Sequence, residues 1–317
     1  MNSPQPDRTL VVAARTEVGP VVVLELADPD GVPLPAPEPG AHLDLLLPDG
    51  VVRQYSLCGS PAVAPGRWRL AVLHEPEGRG GSAAVHARLV EGERVGIAGP
   101  RNHFGFEPGE APLLLIAGGI GVTPLVPMAT AARAAGLDYR LHVAGHADRL
   151  PFVEELDAEH GERVVWHRSG VEGRPDVDAL LAAAAPGTAV YCCGPAGLLD
   201  AVEAAAARHG LALHTERFVP EQQGAVLWDG DFEVEFTLSG VTATVPPDRS
   251  ILEVAEENGI FVLSSCQEGT CGTCETPVID GVVDHRDSIL TPAERERGDV
   301  MYVCVSRAAC PRLVVEL

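Results

Sequence analysis

The sequence predicts three domains in succession: an antiparallel β-barrel, an α/β domain with a parallel sheet, and a small α+β domain. Three observations support this fold class. Short β-rich runs separated by turn clusters fill residues 9–106, strands alternate with helices from residue 111 to 218, and a compact set of cysteines follows near the end of the chain. We expect the domains at 1–108, 109–218 and 228–317, with a linker at 219–227.

Length and composition set the broad class. A chain of 317 residues with 46% hydrophobic residues is long enough for two or three domains with their own cores. No apolar run approaches the ~18 residues of a membrane-spanning helix. Residues 1–4 lack the charged and apolar regions of a signal peptide, so a cytoplasmic protein without membrane attachment is expected.

The chain is strongly acidic, with a formal net charge of −22. This balance argues against nucleic acid as a partner, because nucleic acids are bound mainly through Lys and Arg on phosphates. Residues 228–317 contain 17 acidic and 6 basic residues, a net charge of −11 in less than a third of the chain. Two interpretations stay open: ordinary solvation of a domain surface, or electrostatic attraction of a basic protein partner.

The first domain is predicted to contain six strands and one helix. Turn clusters at 28–31 and 48–50 separate the strands, as in an antiparallel barrel. The helix is expected to run from Ser82 to Leu89. The strand candidates are residues 10–13, 21–26, 42–47, 51–57, 68–74 and 94–98.

The second domain shows the strand–helix alternation of a parallel sheet. Its helices are expected to stop at glycines such as Gly136 and Gly210. The strand candidates are residues 113–117, 139–144, 163–167 and 189–193, and the helix candidates are 123–135, 151–160, 176–185 and 196–209.

The third domain begins with an alternating hairpin, residues 232–238 and 241–245, and a helix from Ser250 to Asn258. Beyond this helix lie four cysteines whose spacing, C-x4-C-x2-C with a distant fourth, is the plant-type pattern for a [2Fe–2S] cluster. Gly269 and Gly272 allow the loop its left-handed turns. Zinc is the alternative, but zinc sites favour two C-x-x-C pairs and only one is present. The predicted ligands are Cys266, Cys271, Cys274 and Cys304.

Two elements of the first domain together predict a flavin site. Residues 53–57 end a strand, and the glycine-rich residues 78–82 open the predicted helix. Small residues, free N–H groups and a helix N-terminus favour a phosphate, to which Arg53 can add a charge-assisted bond. Tyr55 would lie against the isoalloxazine ring, and Ser56 would hydrogen-bond its edge. Either element alone is an ordinary turn or strand, so the prediction depends on their combination.

Two turns of the second domain predict a nucleotide site. Residues 118–124 join a buried strand to a helix, and residues 193–195 end the last predicted parallel strand. Both turns are expected at the carboxyl edge of the sheet, where ligands of open α/β sheets bind. The first turn is not G-x-G-x-x-G, so the usual dinucleotide argument does not transfer directly, and tight packing turns are the alternative.

With these motifs in this order, the whole chain resembles the oxygenase reductase family typified by phthalate dioxygenase reductase and vanillate demethylase reductase. That family joins a ferredoxin-reductase-like flavin-binding barrel, a nicotinamide-binding α/β domain and a C-terminal plant-type ferredoxin domain of the β-grasp fold. The matching stretches are residues 53–57, 77–82, 99–104, 118–124, 193–195 and the four cysteines.

The resemblance implies FMN, NADH and a [2Fe–2S] cluster as cofactors, and no catalytic side chain, because electrons pass through the cofactors. Asp148 beside Arg149, just after the strand at 139–144, favours NADH over NADPH. The implied flavin contacts are Arg53, Tyr55, Ser56, Leu57, Gly80, Gly81 and Ser82, with Phe218 nearby. The implied nicotinamide-side contacts are Gly119, Thr123, Cys193, Gly194 and Pro195.

The resemblance further implies a reductase that passes electrons from NADH to FMN, then to the cluster, then to a terminal Rieske-type oxygenase or demethylase. A flavin connects the two ends because nicotinamide gives up two electrons at once and the cluster takes one. A cytochrome P450 is the alternative partner, and a non-enzymatic iron–sulfur sensor or carrier is the alternative of a different class. The partner is expected to dock at the acidic ferredoxin domain of a monomer.

Overall fold

The computed structural model describes residues 6–47, 50–59, 65–221 and 223–317. Residues 1–4, on which the expected cytoplasmic location was based, lie outside this part of the chain. Pro48 and Asp49 of the predicted turn also lie outside it. The structure divides into two compact units, Met1–Phe218 and Val219–Leu317. None of the helices in the described ranges is long and apolar enough to cross a membrane.

Six antiparallel strands form the barrel: β1 (Arg8–Val18), β2 (Val21–Ala27), β3 (His42–Leu46), β4 (Val52–Ser56), β5 (Trp68–Leu73) and β6 (Arg94–Arg101). Their order is β4-β3-β6-β1-β2-β5, and a bridge between Leu57 and Leu70 joins the two edge strands. Alternate side chains point inwards and bury a core that includes Leu24, Leu43 and Trp68. All six predicted strands are confirmed, with shifted ends, and helix α1 spans Gly81–Arg88, one residue earlier than predicted.

The second sheet is parallel and consists of β7 (Leu113–Gly118), β8 (Tyr139–His146), β9 (Val164–Ser169), β10 (Ala189–Cys193) and β11 (Ala212–Glu216). The connecting helices are α2 (Leu125–Ala134), α3 (Val153–His160), α4 (Val177–Ala182) and α5 (Ala196–His209). The strand order is β11-β10-β7-β8-β9, so the direction of winding reverses between β7 and β10. Such a switch point is where open α/β sheets bind ligands.

Two features of this sheet differ from the prediction. The helix predicted from residue 123 is preceded by a 3-10 turn, Gly119–Val122, and becomes α-helical only at Leu125. Strand β11 was not predicted, because its five residues contain few apolar side chains. Pairing with β10, which sets Cys193 opposite Glu216, supplies the hydrogen bonds that keep it extended.

The barrel and the parallel sheet share one hydrophobic core. Val21, Val23 and Ala71 of the barrel pack in the same cluster as Leu115 and Met128 of the α/β part. A largely buried ion pair also joins them, in which one guanidinium nitrogen of Arg69 donates to the two carboxylate oxygens of Glu155 at 2.9 and 2.7 Å. The first unit therefore contains both sheets.

The second unit is built on a mixed sheet in the order β13-β12-β18-β14-β16. Its strands are β12 (Phe232–Phe236), β13 (Val241–Val245), β14 (Glu275–Asp280), β15 (Val283–Asp284), β16 (Val300–Tyr302), β17 (Arg307–Ala308) and β18 (Arg312–Val315), of which β15 and β17 pair separately. Its helices are α6 (Ile251–Glu257) and α7 (Pro292–Arg297), each opened by a capping box, at Ser250 and Thr291. The predicted hairpin and α6 are confirmed, and so is the fold class of barrel, parallel α/β sheet and mixed α+β sheet.

Candidate cofactor sites

The first candidate site lies at the N-terminus of α1. Gly80 is left-handed, with φ 78°, and leads into a helix whose first N–H groups have no helical acceptor. The Arg53 side chain crosses Gly81 so closely that a Cβ there would lie 2.4 Å from Arg53 Cγ. The guanidinium donates to the carbonyls of Val52 and Arg79 at 2.7 and 2.8 Å. This cradle of amides beside one cation fits a phosphate group.

Three further flavin-side residues, Tyr55, Leu57 and Ser82, differ in what they can offer. The Ser82 hydroxyl accepts from the Glu75 N–H at 3.0 Å and donates to the Glu75 carbonyl at 3.4 Å, so a phosphate contact of Ser82 would come from its backbone. The Leu57 side chain is buried in the barrel core and is not available to a cofactor. Tyr55 is half-buried, and burial raises the pKa of its phenol to about 12 although Arg53 lowers it. Tyr55 therefore remains a protonated, amphipathic ring.

The second candidate site lies at the switch point of the parallel sheet. A Cβ on Gly118 would lie 2.5 Å from Pro195 Cδ, and one on Gly121 would lie 2.3 Å from the Cys193 carbonyl oxygen. The turns after β7 and β10 are thus packed so closely that only glycine fits at these positions. Gly119, with φ 55°, has open space where a Cβ would lie, so a ligand can approach the turn from that side.

Two further predicted residues flank this site. The Thr123 side chain is buried and donates to the Ile120 carbonyl at 2.9 Å, so it stabilises the turn. Phe218 is exposed and ends the first unit, two residues beyond β11. Its proximity to a flavin stays a prediction.

Glu216, which the sequence analysis did not single out, joins the two sites. Ser56 Oγ donates to Glu216 Oε2 at 3.2 Å, and Cys193 Sγ lies 3.9 Å from the same oxygen. Burial of the carboxyl raises the pKa of Glu216 to about 8, although both of these hydrogen bonds lower it. Burial, then the adjacent Glu216, raise the pKa of the Cys193 thiol well above its usual value. At neutral pH the group therefore consists of a hydroxyl, a thiol and a mostly protonated carboxyl.

The third candidate site is the cysteine loop of the second unit. Cys271, Cys274 and Cys304 are buried, and Cys266 is half-buried. The Cys266 thiol contacts those of Cys271 and Cys304, and Cys304 also contacts Cys274. The four predicted ligands are therefore brought to one place.

Backbone donors of the loop point at two of the sulfurs. The N–H groups of Glu268 and Thr270 lie 3.3 and 3.4 Å from Cys266 Sγ, and that of Thr273 lies 3.4 Å from Cys271 Sγ. Such donors stabilise thiolates, the form that binds iron. The loop is therefore suited to hold negative charge on its sulfurs.

Three residues with left-handed backbone shape the loop: Gln267, with φ 55°, Gly269, with φ 70°, and Gly272, with φ 74°. The two glycines confirm the predicted left-handed turns. A Cβ on Gly269 would lie 2.6 Å from a Val305 methyl and 3.0 Å from Asp287 Cα, so no larger residue fits. Gln267, in contrast, holds a conformation that is uncommon for residues with side chains.

The donor set fits a [2Fe–2S] cluster. Such a cluster takes four thiolates, two at each iron, and the contacts join all four cysteines in one group. Among the residues that the structure describes, no three His, Cys, Asp or Glu side chains form a group that could hold a single metal ion. A two-iron cluster does not need such a group.

Known proteins resemble this chain over the cysteine loop and over nearly its whole length. The family described as "2Fe-2S iron-sulfur cluster binding domain" matches residues 235–309, which include all four cysteines. Vanillate O-demethylase oxidoreductase of Pseudomonas sp. (strain HR199 / DSM 7063) is 41% identical over 315 residues, which cover 97% of this chain and 99% of that protein.

Two solved structures extend the comparison to the fold. Phthalate dioxygenase reductase, described as a modular structure for electron transfer from pyridine nucleotides to [2Fe–2S], is 35% identical with a TM-score of 0.69, over 98% of both chains. An intact type IV self-sufficient cytochrome P450 monooxygenase is 39% identical with a TM-score of 0.90 over 98% of this chain. This chain spans 41% of that monooxygenase.

Proposed function

The chain belongs to the family of oxygenase reductases that includes vanillate O-demethylase oxidoreductase and phthalate dioxygenase reductase, and on this basis we propose that it passes electrons from NADH through FMN and a [2Fe–2S] cluster to a terminal oxygenase. It is an oxidoreductase whose residues bind and position cofactors. FMN converts the two-electron chemistry of NADH into the one-electron chemistry of the cluster.

The observation that carries this proposal is the meeting of Ser56, Cys193 and Glu216 at one carboxylate oxygen. Ser56 ends the barrel strand of the flavin motif, and Cys193 ends the strand that leads into the nicotinamide turn. A hydride can pass only between groups in direct contact, so the two binding motifs must converge. Their convergence within the first unit supports direct transfer from NADH to FMN.

Each group of residues then has a defined task. Arg53 and the amides at Gly80 and Gly81 hold the FMN phosphate, Tyr55 lies against the ring, and Ser56 hydrogen-bonds its edge. The turns at Gly119 and at Cys193–Pro195 bind the nicotinamide nucleotide. The cluster ligands are Cys266, Cys271, Cys274 and Cys304.

We assign the flavin-binding barrel to 1–108, the NAD-binding domain to 109–218, the linker to 219–227 and the ferredoxin domain to 228–317.

The acceptor is a Rieske-type terminal oxygenase or demethylase that docks at the acidic ferredoxin domain. The exposed acidic residues of α6 precede Phe261 and Leu263, whose exposed fractions are 73% and 66%. In the sequence, these two residues come just before Cys266, which is the least buried of the four cysteines. An acidic surface with apolar side chains near the cluster suits a partner with a basic rim and an apolar centre.

A cytochrome P450 is the second candidate acceptor. The observation that favours it is the structural match of 98% of this chain to part of a self-sufficient P450 monooxygenase. Whichever the acceptor, cluster thiolates require a reducing compartment, so we place the protein in the cytoplasm. We also propose that it is a monomer. Light scattering measures the oligomeric state, and turnover with purified oxygenase or P450 identifies the acceptor.

The test of the proposed function is an anaerobic NADH titration followed by visible spectroscopy, with the released flavin identified by chromatography. Bleaching of the flavin and the cluster together, with FMN released, is the expected result. A flavin that NADH does not reduce, or a cluster that stays oxidised after the flavin is reduced, would contradict the proposed electron path. The former result, a flavin that NADH does not reduce, would favour a non-enzymatic sensor or carrier.

A further inference from the structure

The segment 221–227, called the strap below, is fastened to the loop at residues 284–288. Gln222 of the strap lies outside the described residues. At its start, the Glu221 N–H donates to Ser288 Oγ at 2.9 Å, and the Gln223 side-chain amide donates to the Arg286 carbonyl at 2.8 Å. The first half of the strap is therefore held by two bonds to this loop.

The second half of the strap is held by the same loop. The Arg286 guanidinium donates to the Gly224 carbonyl at 3.0 Å and to Asp284 Oδ2 at 3.2 Å. Asp284 Oδ2 also accepts from the Leu227 N–H at 3.2 Å. Both charged side chains are largely buried, so these bonds are shielded from water.

The loop that holds the strap is bonded to both parts of the cysteine site. The Ser288 N–H donates to the Gly269 carbonyl at 2.9 Å, between Cys266 and Cys271. The Arg286 N–H donates to the hydroxyl of the fully buried Ser306 at 3.2 Å, two residues after Cys304. The strap is therefore fixed to the scaffold that carries the cluster ligands.

The chain is also fixed on the other side of the strap. Arg217, only 8% exposed, donates to Asp200 at 3.2 Å and to Glu203 at 2.7 Å within the first unit. Between Arg217 and Glu221 lie Phe218, Val219 and Pro220. Within the described part of the chain, no hydrogen bond of these three residues to either unit is present.

We infer that Arg286 and Ser288 are positioning residues for electron transfer. They hold the strap against residues 284–288, which are bonded to the cysteine site. The flexible connection between the units is therefore residues 218–220 and not 218–227. This inference rests on the proposed function, in which the cluster must receive electrons from the first unit. The effective concentration of a tethered group falls roughly as the −3/2 power of the tether length. Lengthening the free segment from three residues to ten lowers it by about sixfold.

The first experiment tests the strap itself, by hydrogen exchange and mass spectrometry on the cofactor-loaded protein, over peptides that span 219–230. Arg286→Ala and Ser288→Ala are compared with Arg297→Ala, an exposed arginine of α7 in the same unit that pairs with Asp299. Faster exchange of the strap in the first two variants, and unchanged exchange in the control, supports the inference. Unchanged exchange in all three overturns it.

The second experiment measures the positioning role, by anaerobic stopped-flow mixing with NADH. In the double variant Arg286→Ala/Ser288→Ala, which removes the side-chain anchors of Glu221 and Gly224, we expect flavin reduction at the wild-type rate and cluster reduction slowed up to about sixfold. Arg286→Lys/Ser288→Ala, whose ammonium can still donate to the Gly224 carbonyl, should recover part of that rate. A loosened strap with an unchanged rate of cluster reduction overturns the positioning role. Failure of NADH to reduce the wild-type flavin overturns the proposed function instead, and hydrogen exchange still reports whether the strap is held.

Discussion

Ser56 and Glu216 lie 160 residues apart in the chain and meet in a 3.2 Å hydrogen bond from the serine hydroxyl to Glu216 Oε2. Ser56 ends β4 of the barrel, and Glu216 ends β11 of the parallel sheet. The bond therefore ties the two sheets together where the predicted flavin and nicotinamide residues converge. It also places a titratable group between them.

The raised pKa of Glu216 predicts a pH-dependent stability. In the folded protein the carboxyl has a pKa of about 8, against an ordinary value of 4.5. Between these values the unfolded chain loses the proton and the folded protein keeps it, so this contribution is complete below about pH 4.5 and is lost as pH rises through about 8. We expect the Tm of the wild type to fall relative to that of Glu216→Gln between about pH 5 and pH 8. Calorimetry checks this, and parallel Tm curves would contradict it.

The cysteine site predicts that the cluster can be lost while the NADH-dependent activity of the first unit remains. Cys271→Ser removes one of four thiolates, so we expect loss of the cluster's visible absorbance and of bound iron. NADH-dependent ferricyanide reduction, which needs only the first unit, should remain. Cys310→Ser is the matched control, because Cys310 lies outside the four-cysteine contacts and bonds to backbone atoms of Val282 and Arg312. Retention of the cluster by Cys271→Ser would disprove the ligand assignment.

The contact between Gly81 and Arg53 predicts a flavin-affinity defect. The new Cβ in Gly81→Ala would lie 2.4 Å from Arg53 Cγ and must displace the guanidinium. Displacement of a packed side chain costs about 1–3 kcal/mol, so FMN should bind roughly fivefold to 150-fold more weakly. Gly197→Ala in α5 has open space around the new methyl group and should leave FMN affinity unchanged. Fluorescence titration of the apoprotein with FMN measures both, and equal affinities would refute the role of this contact.

The packed turns predict a nicotinamide defect. In Gly121→Ala the methyl group would lie 2.3 Å from the Cys193 carbonyl oxygen and push the turns after β7 and β10 apart. We expect a higher KM for NADH with unchanged FMN content, since the flavin cradle lies on α1 and β4. Gly105→Ala, where nothing lies within 4 Å, is the control. Steady-state ferricyanide reduction decides it: a KM equal to that of the control would show that the turns tolerate the methyl group.

The sequence by itself determined the features that depend only on residues close together along the chain. The four cysteines, the left-handed glycines of their loop and helix α5 at 196–209 all follow from spacing, backbone freedom and local periodicity. The barrel strands follow from alternation and turn residues. These signals are local, so they can be read along the chain without knowing what packs against what.

The tertiary structure alone decided which distant residues meet. Strand β11 has a weak local pattern and is held by its register with β10, and that register brings Glu216 to Cys193 and Ser56. Packing likewise placed Leu57 in the barrel core and bonded the Ser82 hydroxyl to Glu75. The strap contacts of the loop at 284–288 also join residues more than 50 positions apart. Such contacts depend on sheet order and register, which no local spacing encodes.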